Sequence, residues 1–195
     1  GNAKVYGAEV YDNATISGHA WVHGNALVYD NAEVSGSAKV FGDARVYGYA
    51  WVSDIARISG NARVHGSSEV SSNALVYGNA IVCGRAWVYG NAEVYDNAII
   101  YNNAAISGNA TVSGNAEVYG NAEITHNAQI KSSYDYLVFK NTWSSGRNFT
   151  YTKSNKMWKV GCFYGTGEEL VAKAYKDSKE SGDKYRLYVD LVNNL

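Results

Sequence analysis

Alanine recurs every six residues from Ala8 to Ala128, and Ser68 is the one replacement. The unit reads Gly/Asp, Asn, Ala, any residue, Val/Ile, Tyr/Ser, and its cleanest run spans 90–130. Self-similarity at so short a period admits few architectures. The Ala-x-Val-Tyr stretch alternates small apolar, variable, branched apolar and aromatic or hydroxyl residues, which is the period of a short strand with one face buried. Ala and Val/Ile point inward. The Gly-Asn or Asp-Asn pair that follows supplies the positive φ of a sharp corner. A chain that turns every six residues closes a coil after a few strands, and stacked coils pair those strands in parallel as a β-solenoid. The first unit, Asn2-Ala3-Lys4-Val5-Tyr6, is a residue out of phase, so an irregular first coil is expected.

The number of strands per coil is testable by sorting the residue after each Val/Ile. At a spacing of eighteen, one column reads Tyr11, Tyr29, Tyr47, His65, Cys83, Tyr101, Tyr119. A second reads Ser17, Ser35, Ser53, Ser71, Tyr89, Ser107, Thr125, and the third, from His23 to Lys131, is mixed. A two-unit coil would mix tyrosines with serines. Three hexapeptides per coil and about seven coils are therefore expected, a triangular prism about 34 Å long at ~4.8 Å per coil.

This tandem unit resembles the hexapeptide repeat of left-handed parallel β-helix proteins, and the resemblance covers about two thirds of the chain. Left-handedness is implied by that resemblance alone. One departure is that Tyr or Ser follows the aliphatic residue, where glycine often does in the acyltransferases of this class. The GNAxVYG style is closer to uncharacterised repeat proteins of bacteria and phages.

The acyltransferase reading requires a histidine base near a subunit boundary and an inserted loop. No insertion interrupts 8–128, and His19, His23, His65 and His126 fall at ordinary outward or corner positions. Neither catalytic residues nor metal ligands nor a cofactor are assigned. Residues 1–130 hold 11 Asp/Glu against 6 Lys/Arg, and 131–195 hold 7 against 11. Neither excess points to nucleic acid or an anionic membrane as the main partner. No apolar run reaches membrane length and the opening residues do not read as a signal peptide. With Cys83 and Cys162 in separate parts of the chain, a reducing, cytoplasmic setting is expected.

Chemistry is sought where the repeat deviates. Two residues before the tyrosine column lies an outward column of Glu9, Leu27, Arg45, Arg63, Ile81, Ile99 and Glu117. Tyr29, Arg45, Tyr47, Arg63, His65, Ile81, Cys83, Ile99, Tyr101 and Tyr119 together form the candidate partner-binding face. Such a surface suits a protein partner or a sister subunit, so a homo-oligomer is expected. The alternative is a ladder that only stabilises the coils. Arginines with tyrosines also suit phosphates and stacked bases, a weaker signal against the acidic balance. Trp21, Trp51 and Trp87 are outward too, the last two in one column beside Ser53 and Tyr89, where covering neighbouring coils is their ordinary role. Stacked asparagines, as at Asn73, Asn91, Asn109 and Asn127, are expected to bond along the ladder.

After Ile130 the repeat stops, giving domains 1–131 and 132–195. Strands are expected at 134–140, 149–153 and 157–163, the last with Cys162 buried in it. Thr166 and Glu169 form a capping-box signature for a helix to about Lys179. A second helix is expected from Asp183, with Tyr188, Leu191, Val192 and Leu195 on one face. This makes a small α+β unit able to cap the solenoid's last strand edge. Its segment 160–178, VGCFYGTGEELVAKAYKDS, resembles a C-terminal module of diverse phage and prophage proteins. The expected function is a non-enzymatic binding scaffold; the phage resemblance implies an inhibitor of a host defence nuclease complex, anti-CRISPR-like, acting in the host cytoplasm. An acyltransferase-like enzyme and a glycan-binding virion or surface adhesin are the alternatives.

Overall fold

The computed structural model describes all 195 residues, which divide into two compact units, Gly1–Ser133 and Tyr134–Leu195. The first unit is mainly β. Three parallel sheets of eight, seven and seven short strands form its faces, here called A, B and C. Face A runs from Lys4–Tyr6 to Gln129–Ile130, face B from Glu9–Val10 to Glu117–Val118, and face C from Thr15–Ile16 to Glu123–Ile124. Register is uniform: Arg63 lies between Arg45 and Ile81, eighteen residues away on either side. The coil therefore takes three hexapeptides, and about seven coils stack. Only the first step is short, with Lys4 opposite Trp21, seventeen residues on.

The core is thin and repetitive. From Ala20 to Ile130 the inward Ala and Val/Ile residues are at most 1% exposed. Each buried branched side chain stabilises the coil by ~1.5–3 kcal/mol, and each alanine leaves room for the two other faces to approach. Ser68 keeps the alanine position dry because its hydroxyl donates to the carbonyls of His65, at 2.9 Å, and Val82, at 3.3 Å.

Corners follow one rule. The residue two places after the inward Val/Ile has positive φ at every sixth position from Asp12 to His126. Glycine fills most of these positions, and Asp12, Asp30, Asp54, Ser72, Asp96, Asn102 and His126 fill the rest. At Gly36 a Cβ would come within 2.8 Å of the Asp54 backbone nitrogen, so glycine there also permits close coil approach. Asp30, Asp54 and Asp96 offset the cost of the left-handed conformation, because each carboxylate accepts the N–H of the corner residue one coil on, at 3.1, 2.9 and 3.0 Å. The next corner position carries the asparagine ladder, running Asn73 to Asn91 to Asn109 to Asn127 at 2.9, 3.0 and 3.2 Å.

The second unit is α+β. An antiparallel sheet of Tyr136–Lys140, Asn148–Thr152, Met157–Val160 and Phe163–Gly165 is followed by helices α1, Gly167–Asp177, and α2, Lys179–Asn193. Phe149 and Trp158 pack with Leu170, Val171 and Ala174 of α1 and Tyr185, Val189 and Val192 of α2. Thr166 caps α1 with a complete capping box to Glu169.

Three expectations for this unit need correction. The strand expected at 157–163 is split by a turn at Gly161, φ 54°, into the two arms of a hairpin. Cys162 consequently sits exposed in that turn as a free thiol, rather than buried in a strand. Helix α2 begins at Lys179, capped by Ser178, four residues earlier than expected. Gly182 is buried inside it, close against the Tyr175 ring, which a Cβ there would meet at 2.1 Å. The buried stripe accordingly runs through Gly182, Tyr185, Val189 and Val192, and leaves Leu191 and Leu195 exposed.

Candidate binding face

Every residue of the predicted partner-binding face lies on face B or the corner that follows it. The strand register places Leu27, Arg45, Arg63, Ile81, Ile99 and Glu117 in one column, each directly above the last. Beside it the rings of Tyr11, Tyr29, Tyr47 and His65 form a continuous stack, with centroid spacings of 5.0, 4.9 and 4.7 Å and nearly parallel planes. Cys83 interrupts the stack, and Tyr101 and Tyr119 resume it at 5.3 Å.

The stack supplies ladder stabilisation, and it half-buries its own members. Tyr29, Tyr47, His65, Cys83 and Tyr101 are intermediate in exposure, and so are Ile81 and Ile99, which shield one another. Arg45, Arg63 and Tyr119 stand exposed. Arg45 and Arg63 are register partners with no ion pair to either guanidinium. Like charges directly opposite one another destabilise a sheet, and neither guanidinium has a carboxylate within ion-pair distance.

Along the column burial sets the electrostatics, first at Cys83. Burial pushes its thiol up from the ordinary value, which favours the neutral form. His65 is held below the usual imidazole range by burial and then by the Arg63 charge, so it stacks as a neutral ring. Tyr101 is raised by burial and by Glu117, whose carboxylate accepts its hydroxyl proton at 3.4 Å. On the face A column Tyr77 makes the same bond to Glu93 at 3.3 Å; burial and that carboxylate push it to about 12.

The other expected features fall elsewhere. His19 and His126 occupy corners, and His23 stacks on Phe41 at 5.2 Å. No group of three or more His, Cys, Asp or Glu side chains is placed to hold a metal ion. No helix is long and apolar enough to cross a membrane. Trp21 is overlain by Lys39, whose ammonium lies 5.6 Å from the ring centre. On face C, Trp51 and Trp87 are 46% and 55% exposed and Tyr89 40%, more open than the ordinary coil-covering role implies. Sequence reasoning passed over Ala105. It is the one alanine in an outward column that otherwise holds Thr15, Glu33, Trp51, Glu69, Trp87 and Glu123, and the structure places a hollow there. Sorting this column by eighteen as well would have shown Ala105 as its smallest member.

Residues 8–24, 38–54, 56–72 and 104–118 match the family model described as YdcK Beta solenoid repeat. All four stretches lie within the solenoid, and the chain is similar to that family through this repeat. No curated protein and no solved structure matches the chain.

Proposed function

We propose that the protein is a non-enzymatic scaffold whose face B is buried by a protein partner. One observation carries this reading: Arg45 and Arg63 are register-paired, exposed and without counterions, next to the half-buried Ile81–Ile99 pair and the tyrosine stack. A partner that brings carboxylates to the arginines and an apolar patch to the isoleucines relieves the repulsion and removes apolar surface from water. Self-association through the isoleucines is the homo-oligomer form of the same proposal. Its narrower form is inhibition of a host defence nuclease complex in a reducing cytoplasm, and rests on the resemblance of 160–178 to phage modules.

Affinity capture from host lysate, comparing the native chain with Arg45→Glu/Tyr47→Ala, tests the face. A specific protein held by the native chain and released by the double variant is the expected result. Retention of the same protein at equal strength would place the contact elsewhere. Light scattering on the native chain and on Ile99→Asp tests self-association, with a fall in mass expected for the variant.

A further inference from the structure

Face C carries a second surface of different chemistry. Its outward column holds Trp51, Glu69, Trp87, Ala105 and Glu123 in register, one per coil. On face B, aromatic rings stack on aromatic rings. Here each tryptophan is followed by a glutamate or by Ala105, so no ring covers it, and ladder stabilisation does not account for two half-open indoles. The Trp51 indole N–H reaches Ser35 one coil back, at 3.3 Å, which lays that ring along the sheet.

Two hollows flank Trp87. One, of about 570 Å³, opens over Ala105, where the column carries only a methyl group, and is bounded by Trp87, Tyr89, Arg85, Asn103 and Glu123. The other, of about 320 Å³, lies on the opposite side of the ring, against Glu69 and Ser71. The Arg85 guanidinium has no ionic partner. Aromatic rings are thus surrounded by cationic, carboxylate, amide and hydroxyl groups, with donors and acceptors both represented.

We propose that this furrow binds an extended β-linked oligosaccharide lying along the solenoid axis. A pyranose presents an apolar C–H face suited to an indole and a rim of hydroxyls that both donate and accept hydrogen bonds. Spacing favours a glycan over a peptide. The coil rise of ~4.8 Å is close to the length of one pyranose unit in an extended chain, so successive coils meet successive sugars. Trp51 and Trp87, two coils apart, then meet alternate sugars, which turn the same face to the protein in a two-fold β-1,4-linked chain. An extended peptide advances only ~3.3 Å per residue and falls out of step. The sugar nearest Trp87 fills the hollow over Ala105, with Arg85 and Asn103 donating to its hydroxyls.

Titration of the full chain with cellohexaose, chitohexaose and a hyaluronan hexasaccharide, by calorimetry and tryptophan fluorescence, tests the proposal. Saturable binding of at least one is expected, weakened tenfold or more by Trp87→Ala and by Ala105→Leu. The second variant only fills outward space, so an unchanged thermal melt separates lost binding from lost folding. Arg45→Glu/Tyr47→Ala is expected to leave sugar binding unchanged, which keeps this furrow distinct from the face B reading. Failure of all three sugars to bind, or binding that survives both face C variants, would overturn the assignment, as would competition by an aromatic peptide in place of any sugar.

Discussion

Around Val64 the interior consists of alanines and branched aliphatics repeated coil after coil, whereas around Trp158 large rings that occur once each are mixed with aliphatics of the two helices. In the solenoid each residue meets mostly its equivalents eighteen positions away. In the C-terminal unit Phe149 meets Trp158 of a neighbouring strand and Tyr185 and Tyr188 of α2, at 6.0, 5.3 and 5.2 Å. The first arrangement distributes stability over many equal, local contributions, and the second concentrates it in a few side chains. A substitution should therefore be a local event in one unit and a global event in the other.

The largest effect is expected from Trp158→Ala, at about 3–5 kcal/mol for a fully buried ring. Near-ultraviolet circular dichroism should show the C-terminal aromatic signal lost at lower urea, while hydrogen exchange across 20–130 stays slow; joint loss of both would break the comparison. Next comes Ala86→Leu, an overpacked rung expected to cost about 1–3 kcal/mol. Exchange should quicken in the coils on either side of Ala86 and remain protected in coils further along. Uniform acceleration along the solenoid would mean its coils unfold as one unit. Thr166→Ala removes the capping box and is expected to destabilise the C-terminal unit by about 1 kcal/mol, read as a lower urea midpoint for its transition alone.

The smallest effects are those of pH. In the C-terminal unit Glu168 is held below the usual carboxylate range by its hydrogen bonds to Arg186, and Glu169 by those from Thr166. A lowered carboxylate contributes stability above its unfolded value that is lost as pH falls through the folded one, so this unit should weaken on the acid side. Tyr77 in the solenoid is raised from 10.0 to about 12, and its contribution is present below 10.0 and lost as pH rises through about 12. Ultraviolet titration should show several late-ionising tyrosines, and Tyr77→Phe should remove one of them.

The same contrast explains what was legible in the sequence. Columns such as Tyr29, Tyr47 and His65 could be read directly, because parallel register converts a fixed spacing into a spatial neighbour. Exposure could not be read the same way, since Ile81 and Ile99 are half-buried by their own neighbours. In the C-terminal unit the start of α2 at Lys179 could not be read, since Gly182 is accommodated there by close packing against the Tyr175 ring. The turn at Gly161 and Cys162 depends on pairing between Trp158 and Gly165, which no periodicity announces. Ala105 does not stand out in the sequence because alanine is the commonest residue of the repeat, and only its outward position makes it unusual.

The corner rule has a consequence for how such a chain can change length. Every corner needs a single left-handed residue, and Gly, Asp, Asn, Ser and His all fill it here, so the same backbone demand recurs at each corner whatever the residue. Removing or duplicating eighteen residues slides everything downstream along the axis by one thread and leaves each column facing as before. Removing six turns the downstream part by a third of a revolution, and would carry Trp87 and its furrow away from Trp51. The solenoid thus behaves as a screw on which binding surfaces can be shifted in depth without penalty, but rotated only by breaking them apart.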